Sequence, residues 1–155
     1  MRNPTPLPGS STFSPEEILG GPDFFRFTYV RSPFTRALSA YLEKIVQEDA
    51  ERRRLLPTLG FEPDAKVSFS DFLKAVQAQR DGWRDIHWAT QCRLIQGNNI
   101  AYGFIGRFES FSTTFPQVLN RLGIAAEYFL SNTSPAHATN ASARVNEYIG
   151  AQERD

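Results

Sequence analysis

The chain has 155 residues, 41% of them hydrophobic and 13% aromatic, which is enough for one real core and a single domain. Its 17 basic and 17 acidic residues cancel, so no global charge points to a nucleic acid or a membrane surface as partner. A lone Cys92 excludes an intrachain disulfide and a thiolate metal cluster, no apolar run is long enough to span a membrane, and no hydrophobic leader follows Met1. The default compartment is the cytoplasm. Triplets at Asn132 and Asn140 fit the glycosylation sequon, which carries meaning only in a secreted chain.

In chain order, residues 1–13 are rich in Pro, Ser, Thr and Gly and read as a flexible arm, with one domain over 14–155. Ser14, Pro15, Glu16 and Glu17 make a compact helix start, stopped by Gly20, Gly21 and Pro22. Residues 24–30, aromatic and β-branched apart from Arg26, predict a buried strand. The period then changes. Ser32 is a good N-cap, Pro33 suits the first helical position, and Phe34, Leu38, Tyr41, Leu42, Ile45 and Val46 recur at helical spacing. That helix is expected to run to about Leu56, ended by Pro57, with 48–54 as a solvated face. A strand turning at Arg31 into a helix offers free N–H groups, the positive helix end and a guanidinium to an anion. Ser39, eight residues after Arg31, can join that grip if it faces the same way. The competing reading is that Arg31 only caps the helix and Ser39 is a neutral surface residue.

Residues 58–66 form a loop, and Ser68 with Asp71 starts a helix through about Gln79, with Phe69, Phe72, Leu73 and Val76 inward. Asp81 and Gly82 break it. Residues 83–95 hold two tryptophans, a histidine, an amide and arginines, a mixture that suits a pocket wall better than a plain amphipathic helix. His87 is the candidate general base, since imidazole titrates near neutral pH. The alternative is a histidine satisfied in a structural turn beside Trp88, and His137 sits in a polar tail. A second strand over 100–108 ends in Arg107, Phe108 and Glu109; the last is a base, a helix cap or a partner for Arg107. A helix capped near Ser112 follows, with Pro116 in its first turn, Phe115, Val118, Leu119 and Leu122 inward, and Gly123 as its stop. A short helical pattern returns over 144–149.

Residues 27–41, Phe-Thr-Tyr-Val-Arg-Ser-Pro-Phe-Thr-Arg-Ala-Leu-Ser-Ala-Tyr, closely resemble the 3′-phosphate element of sulfotransferases that use 3′-phosphoadenosine 5′-phosphosulfate (PAPS). The nearest likeness is to carbohydrate sulfotransferases of the chondroitin and dermatan type and their bacterial counterparts. His-Trp-x-x-Gln at 87–91 is similar to the family's His-Trp-x-Pro-Gln segment, with Thr90 in place of proline. Residues 104–109 with Leu122 and Gly123 resemble its second strand–helix unit, and Asn132-Thr-Ser resembles the Asn-x-Ser that follows.

The resemblance implies an α/β chain, a partial P-loop-like sulfotransferase fold with a small, mostly parallel sheet flanked by helices. It implies that Arg31 and Ser39 hold the 3′-phosphate of PAPS, without a metal, and that the acceptor is a hydroxyl, with a carbohydrate favoured. The family's 5′-phosphosulfate loop lies upstream of this element, but only 23 residues precede Phe24 and none is lysine. Residues 8–12 look like such a turn without the hydrophobic strand that should lead into it. The expected domain is therefore incomplete at both ends. Two functions follow: a sulfotransferase, or a non-catalytic remnant that binds a 3′-phosphonucleotide or sulfated sugar. A homodimer through the open sheet edge is a further expectation. An ATP- or GTP-using phosphotransferase is disfavoured, because no Gly-x-x-x-x-Gly-Lys-[Ser/Thr] occurs. Animal members are Golgi membrane enzymes, a location that would apply here only with an upstream anchor.

Overall fold

A computed structural model of the chain describes residues 13–125 and 139–148. The expected arm, apart from Phe13, lies outside them, as do Asn132 and His137. Helix α1 (Pro15–Gly20) opens on a capping box: the Ser14 hydroxyl accepts from the Glu17 N–H at 3.2 Å, and the Glu17 carboxylate accepts from the Ser14 N–H at 2.7 Å. Strand β1 (Phe27–Val30) runs parallel to β2 (Phe104–Arg107), with Phe27 opposite Phe104 and Val30 opposite Arg107. Parallel strands need a long crossover, and here helices supply it. The fold is α/β, as expected.

Both strands are shorter than their apolar runs, and β1 is half-buried rather than buried, because the described sheet has only two strands. Tyr29 lies opposite Gly106, and its ring occupies the space where a side chain at 106 would sit. Only glycine permits that approach. The Tyr29 ring is 4.7 Å from that of Phe111, and its hydroxyl bonds Thr114 at 3.1 Å, so one residue fastens α6 (Phe111–Arg121) to the sheet.

The main core lies among the helices. Leu38 of α2 (Pro33–Ala40), Tyr41, Leu42 and Ile45 pack with Leu55, Leu56 and Phe72, the last in α4 (Phe69–Ala78). The single helix expected to reach Leu56 is broken. Beyond α2 a π-helical stretch, Tyr41–Gln47, leads to an extended Glu48, and α3 (Asp49–Leu55) begins afresh. Charge explains the restart: Asp49 and Glu51 sit in the first turn of α3 and Arg52, Arg53 and Arg54 in its last, each sign at the end its helix dipole favours. Lys44 bridges the junction, 3.1 Å from Glu43 and 3.0 Å from Glu48. The wider π turn also shifts the register, leaving Val46 exposed instead of inward.

Helix α4 starts as expected at its Ser68 cap, whose hydroxyl accepts from the Asp71 N–H at 3.1 Å. The short helix α5 (Gln91–Leu94) follows the turn-rich segment 84–90. Helix α6 begins two residues earlier than its sequence suggested, with its N-cap at Ser110 instead of near Ser112, so Pro116 falls inside it rather than in its first turn, and Leu122 is exposed. Helix α7 (Ala141–Tyr148) returns against α2, with the Tyr148 ring 5.9 Å from Phe69.

Phe72 is fully buried, with ring centroids of Tyr41 and Trp88 at 5.6 and 5.4 Å. Phe72→Ala should therefore cost about 3–5 kcal/mol in urea unfolding. A loss below about 1 kcal/mol would mean that this ring does not anchor the core.

Candidate functional site

The site forms where β1 ends. Beyond Val30 the chain leaves the sheet, yet its polar groups stay paired: the Gln91 side chain accepts from the Arg31 N–H at 2.7 Å and donates to the Arg31 carbonyl at 2.7 Å. An amide side chain thus takes the place of a neighbouring strand. Five residues on, the Arg36 guanidinium donates to the carbonyls of Ala89 and Ile86, each at 2.6 Å. Burial, and then the nearby Arg31 charge, lower the Arg36 pKa below the ordinary arginine range. Together these bonds clamp residues 86–91, which include His87, onto the strand–helix junction.

Arg31 turns along α2. Its Nε donates to the Thr35 hydroxyl at 3.1 Å, and its guanidinium lies 5.7 Å from the centre of the Phe108 ring. Thr35 and Ser39 are four residues apart on the same helix and so share a face. The Ser39 hydroxyl meets that of Thr139 at 2.9 Å. Arg31, Thr35 and Ser39 therefore form one row.

Sequence reasoning expected free N–H groups at the head of α2, and one of them is taken. Ser32, at the N-cap, makes no side-chain cap; its N–H instead donates to the Glu109 carboxylate at 2.7 Å. Thr35 also bonds that carboxylate, at 3.3 Å. Glu109 is thus a helix cap, but of α2 rather than of the helix that follows it. Partial burial works to raise its pKa, and the Ser32 N–H, its own N–H, the Thr35 hydroxyl and the Arg31 charge outweigh this, so the carboxyl is held below the usual glutamate range.

His87 sits in a turn, its Nδ1 2.5 Å from Asp85 Oδ1, while its backbone N–H donates to the same oxygen at 3.0 Å. Burial raises the Asp85 pKa, but the bonds from His87 and the Arg54 charge, 3.6 Å away, bring it below the ordinary aspartate range. The Asp85 carboxylate accepts at Nδ1, which favours the tautomer with its proton on Nδ1 and Nε2 as the acceptor nitrogen. Among the described residues no hydrogen bond links His87 to Arg31 or Ser39. A cleft of about 290 Å³ lies alongside, lined by Pro33, Arg36, Phe72, Trp88, Thr90 and Gln91. Trp88 is buried, whereas Trp83, expected in the same wall, is 82% exposed.

Thr35, Arg36 and Asp85 escaped the sequence reading. Thr35 was legible in principle as the midpoint between Arg31 and Ser39, but the carbonyls that hold Arg36 come from a segment 50 to 53 residues away.

Strand, junction arginine, helix and clamped His-Trp segment define a sulfotransferase-like unit, and comparison with known proteins agrees. Residues 5–150 match the profile described as the sulfotransferase family, and the chain belongs to that family. It is 27% identical to carbohydrate sulfotransferase 10 of Homo sapiens over 168 residues, which cover 96% of this chain and 47% of that protein. The same identity and coverage hold for carbohydrate sulfotransferase 10 of Gallus gallus. Carbohydrate sulfotransferase 14 of Danio rerio is 30% identical over 125 residues, 73% of this chain and 34% of that protein. The chain thus spans about half the length, or less, of these relatives. No solved structure matches it significantly. No helix among the described residues is long and apolar enough to cross a membrane.

Because the folded Glu109 carboxyl titrates below its unfolded range, its stabilisation is present above about pH 4.3 and disappears as pH falls through the folded value. Melting temperature measured from pH 3 to 7 should decline at the acid end, and Glu109→Gln should flatten that decline. An unchanged slope would show that the bond to Ser32 contributes nothing in solution.

Proposed function

We propose that the chain acts as a sulfotransferase that moves a sulfuryl group from PAPS to a carbohydrate hydroxyl. The observation that carries this reading is the Arg31–Thr35–Ser39 row at the head of α2, in a chain that belongs to the sulfotransferase family. Arg31 and Ser39 would hold the 3′-phosphate, the arginine by a charge-assisted bond and the serine by its hydroxyl. Thr35 positions the guanidinium between them. Glu109 satisfies the first N–H of the helix, so the phosphate would rest on these side chains rather than on the helix end alone.

In this reading the acceptor hydroxyl attacks sulfur, the bond from sulfur to the 5′-phosphate oxygen breaks, and 3′-phosphoadenosine 5′-phosphate departs. The hydroxyl proton passes to Nε2 of His87, with Asp85 holding the ring in the required tautomer. The family supplies the carbohydrate acceptor by name in its relatives, carbohydrate sulfotransferases 10 and 14. The cofactor is PAPS, and no metal takes part in the proposed step.

Calorimetric titration with 3′-phosphoadenosine 5′-phosphate tests the donor site. Binding should occur, and Arg31→Ala should weaken it by about 1.5–3 kcal/mol, the worth of a hydrogen bond to a charged group. Equal affinity of the variant would remove Arg31 from the site. In a sulfuryl-transfer assay with carbohydrate acceptors, His87→Ala should lower turnover by about 10²–10⁴-fold while leaving nucleotide affinity intact. Full turnover without His87 would place the base elsewhere.

A further inference from the structure

We propose that Asp81 is a positioning residue for the transfer: its carboxylate closes the loop that carries His87. This role rests on His87 serving as the proposed base. By its sequence Asp81 is only a helix breaker, but three hydrogen bonds and a further ion pair converge on its two oxygens. Oδ1 accepts from the Thr90 N–H at 3.3 Å and from Arg84 Nη1 at 3.4 Å. Oδ2 accepts from the Thr90 hydroxyl at 2.9 Å and lies 3.3 Å from Arg93 Nε.

These partners belong to the two ends of one loop. Asp81 and Thr90 bracket the turn that holds Asp85, His87 and Trp88, and within it the N–H groups of Trp88 and Ala89 both donate to the Asp85 carbonyl, at 3.0 and 2.8 Å. Across the neck of the loop the other bond is longer, from Arg93 Nη2 to the Arg84 carbonyl at 3.4 Å. Arg84 in turn donates through Nε to the Val76 carbonyl of α4 at 3.2 Å, so the neck is tied to the helical core. Arg36 and Gln91 fasten the loop to the strand–helix junction, which sets where it sits; Asp81 holds its ends together, which sets its shape.

The Thr90 hydroxyl, with the Thr90 N–H and the Arg93 and Arg84 charges, outweighs the cost of burial and holds the Asp81 carboxyl below the usual aspartate range. An exposed ion pair alone adds little, and the Asp81 side chain is 39% exposed. A carboxylate shared by a backbone N–H, a hydroxyl and two guanidinium groups is different, because moving any one partner disturbs charge-assisted bonds to the others. Closing the neck also removes conformations the loop would otherwise sample. Proton transfer demands that closure, since the imidazole must lie within hydrogen-bond reach of the acceptor hydroxyl and a displacement of about 1 Å can cost about 10²-fold in rate.

Asp81→Asn keeps the size of the side chain and removes its charge. Turnover should fall by about 10- to 100-fold, while calorimetric affinity for 3′-phosphoadenosine 5′-phosphate is unchanged. Thr90→Val, which deletes the hydroxyl bond, should act in the same direction, and the double variant should lose no more than Asp81→Asn alone, since both act through one contact. A second readout needs no activity. The chain has two histidines, so imidazole ¹⁵N shifts, assigned with His87→Ala, report the tautomer of His87 directly. Its proton should sit on Nδ1 in the unaltered chain, and Asp81→Asn should give a mixture of tautomers. Unchanged turnover with an unchanged tautomer would overturn the role, as would a loss of turnover matched by a loss of nucleotide affinity, the sign of general damage. A mixture of tautomers in Asp81→Asn together with full turnover in His87→Ala would remove the base and this role with it. A fixed tautomer in Asp81→Asn together with an inactive His87→Ala would remove Asp81 and leave the base.

Discussion

The structure depends most on the pairing of the Gln91 amide with both backbone groups of Arg31. A strand that ends and turns at once into a helix leaves its last peptide group without a ladder partner, and a half-buried peptide without partners is costly. Gln91 supplies both bonds from a segment 60 residues away, and the carbonyls of Ile86 and Ala89 bond the Arg36 guanidinium in the same way. The consequence is positional. The turn bearing Asp85 and His87 is fixed relative to β1 and α2 by polar bonds to backbone, which tolerate little displacement, rather than by apolar contact alone.

Electrostatics at the junction follow from the same economy of partners. Two carboxylates, Glu109 and Asp85, are each held ionised against partial burial by N–H donors and a nearby arginine. Each in turn orients something: Glu109 the head of α2, Asp85 the imidazole of His87. The Arg31 guanidinium is left with a single hydrogen bond, to Thr35, and a ring beside it, and it forms no ion pair among the described residues. An arginine in that state at a helix start is suited to an incoming anion.

The two apolar clusters divide the remaining work. An aromatic group around Tyr29, Phe104, Phe111 and Phe115 holds α6 on the sheet, while the helical core around Leu38, Leu42 and Phe72 supports α2 from behind. Helix α2 packs on that helical core, and the Glu109 carboxylate holds its N-terminus. The π-helical stretch that ends it is the adjustment that lets Tyr41, Leu42 and Ile45 all face the core before α3 begins in a new direction.

Much of this was legible locally. Ser14 and Ser68 announced their helices because a hydroxyl cap and its N–H lie within three residues, and Arg31, Ser32 and Pro33 marked a strand turning into a helix for the same short-range reason. The break at Glu48 was also written in the order of charges from Asp49 to Arg54, though the continuous apolar period masked it. Sequence by itself therefore determined the class, the turn from strand to helix at Arg31 and the starts of α1 and α4, since period and caps act over a few residues. Tertiary structure alone decided that Glu109 caps α2, that Gln91 completes β1, that Asp85 orients His87 and that Trp83 faces water while Trp88 is buried. The first two are bonds between residues far apart in the chain, whose donors and acceptors find each other only after the crossover closes; the last two depend on how the turn bearing them is packed, which no local pattern of apolar and polar residues encodes.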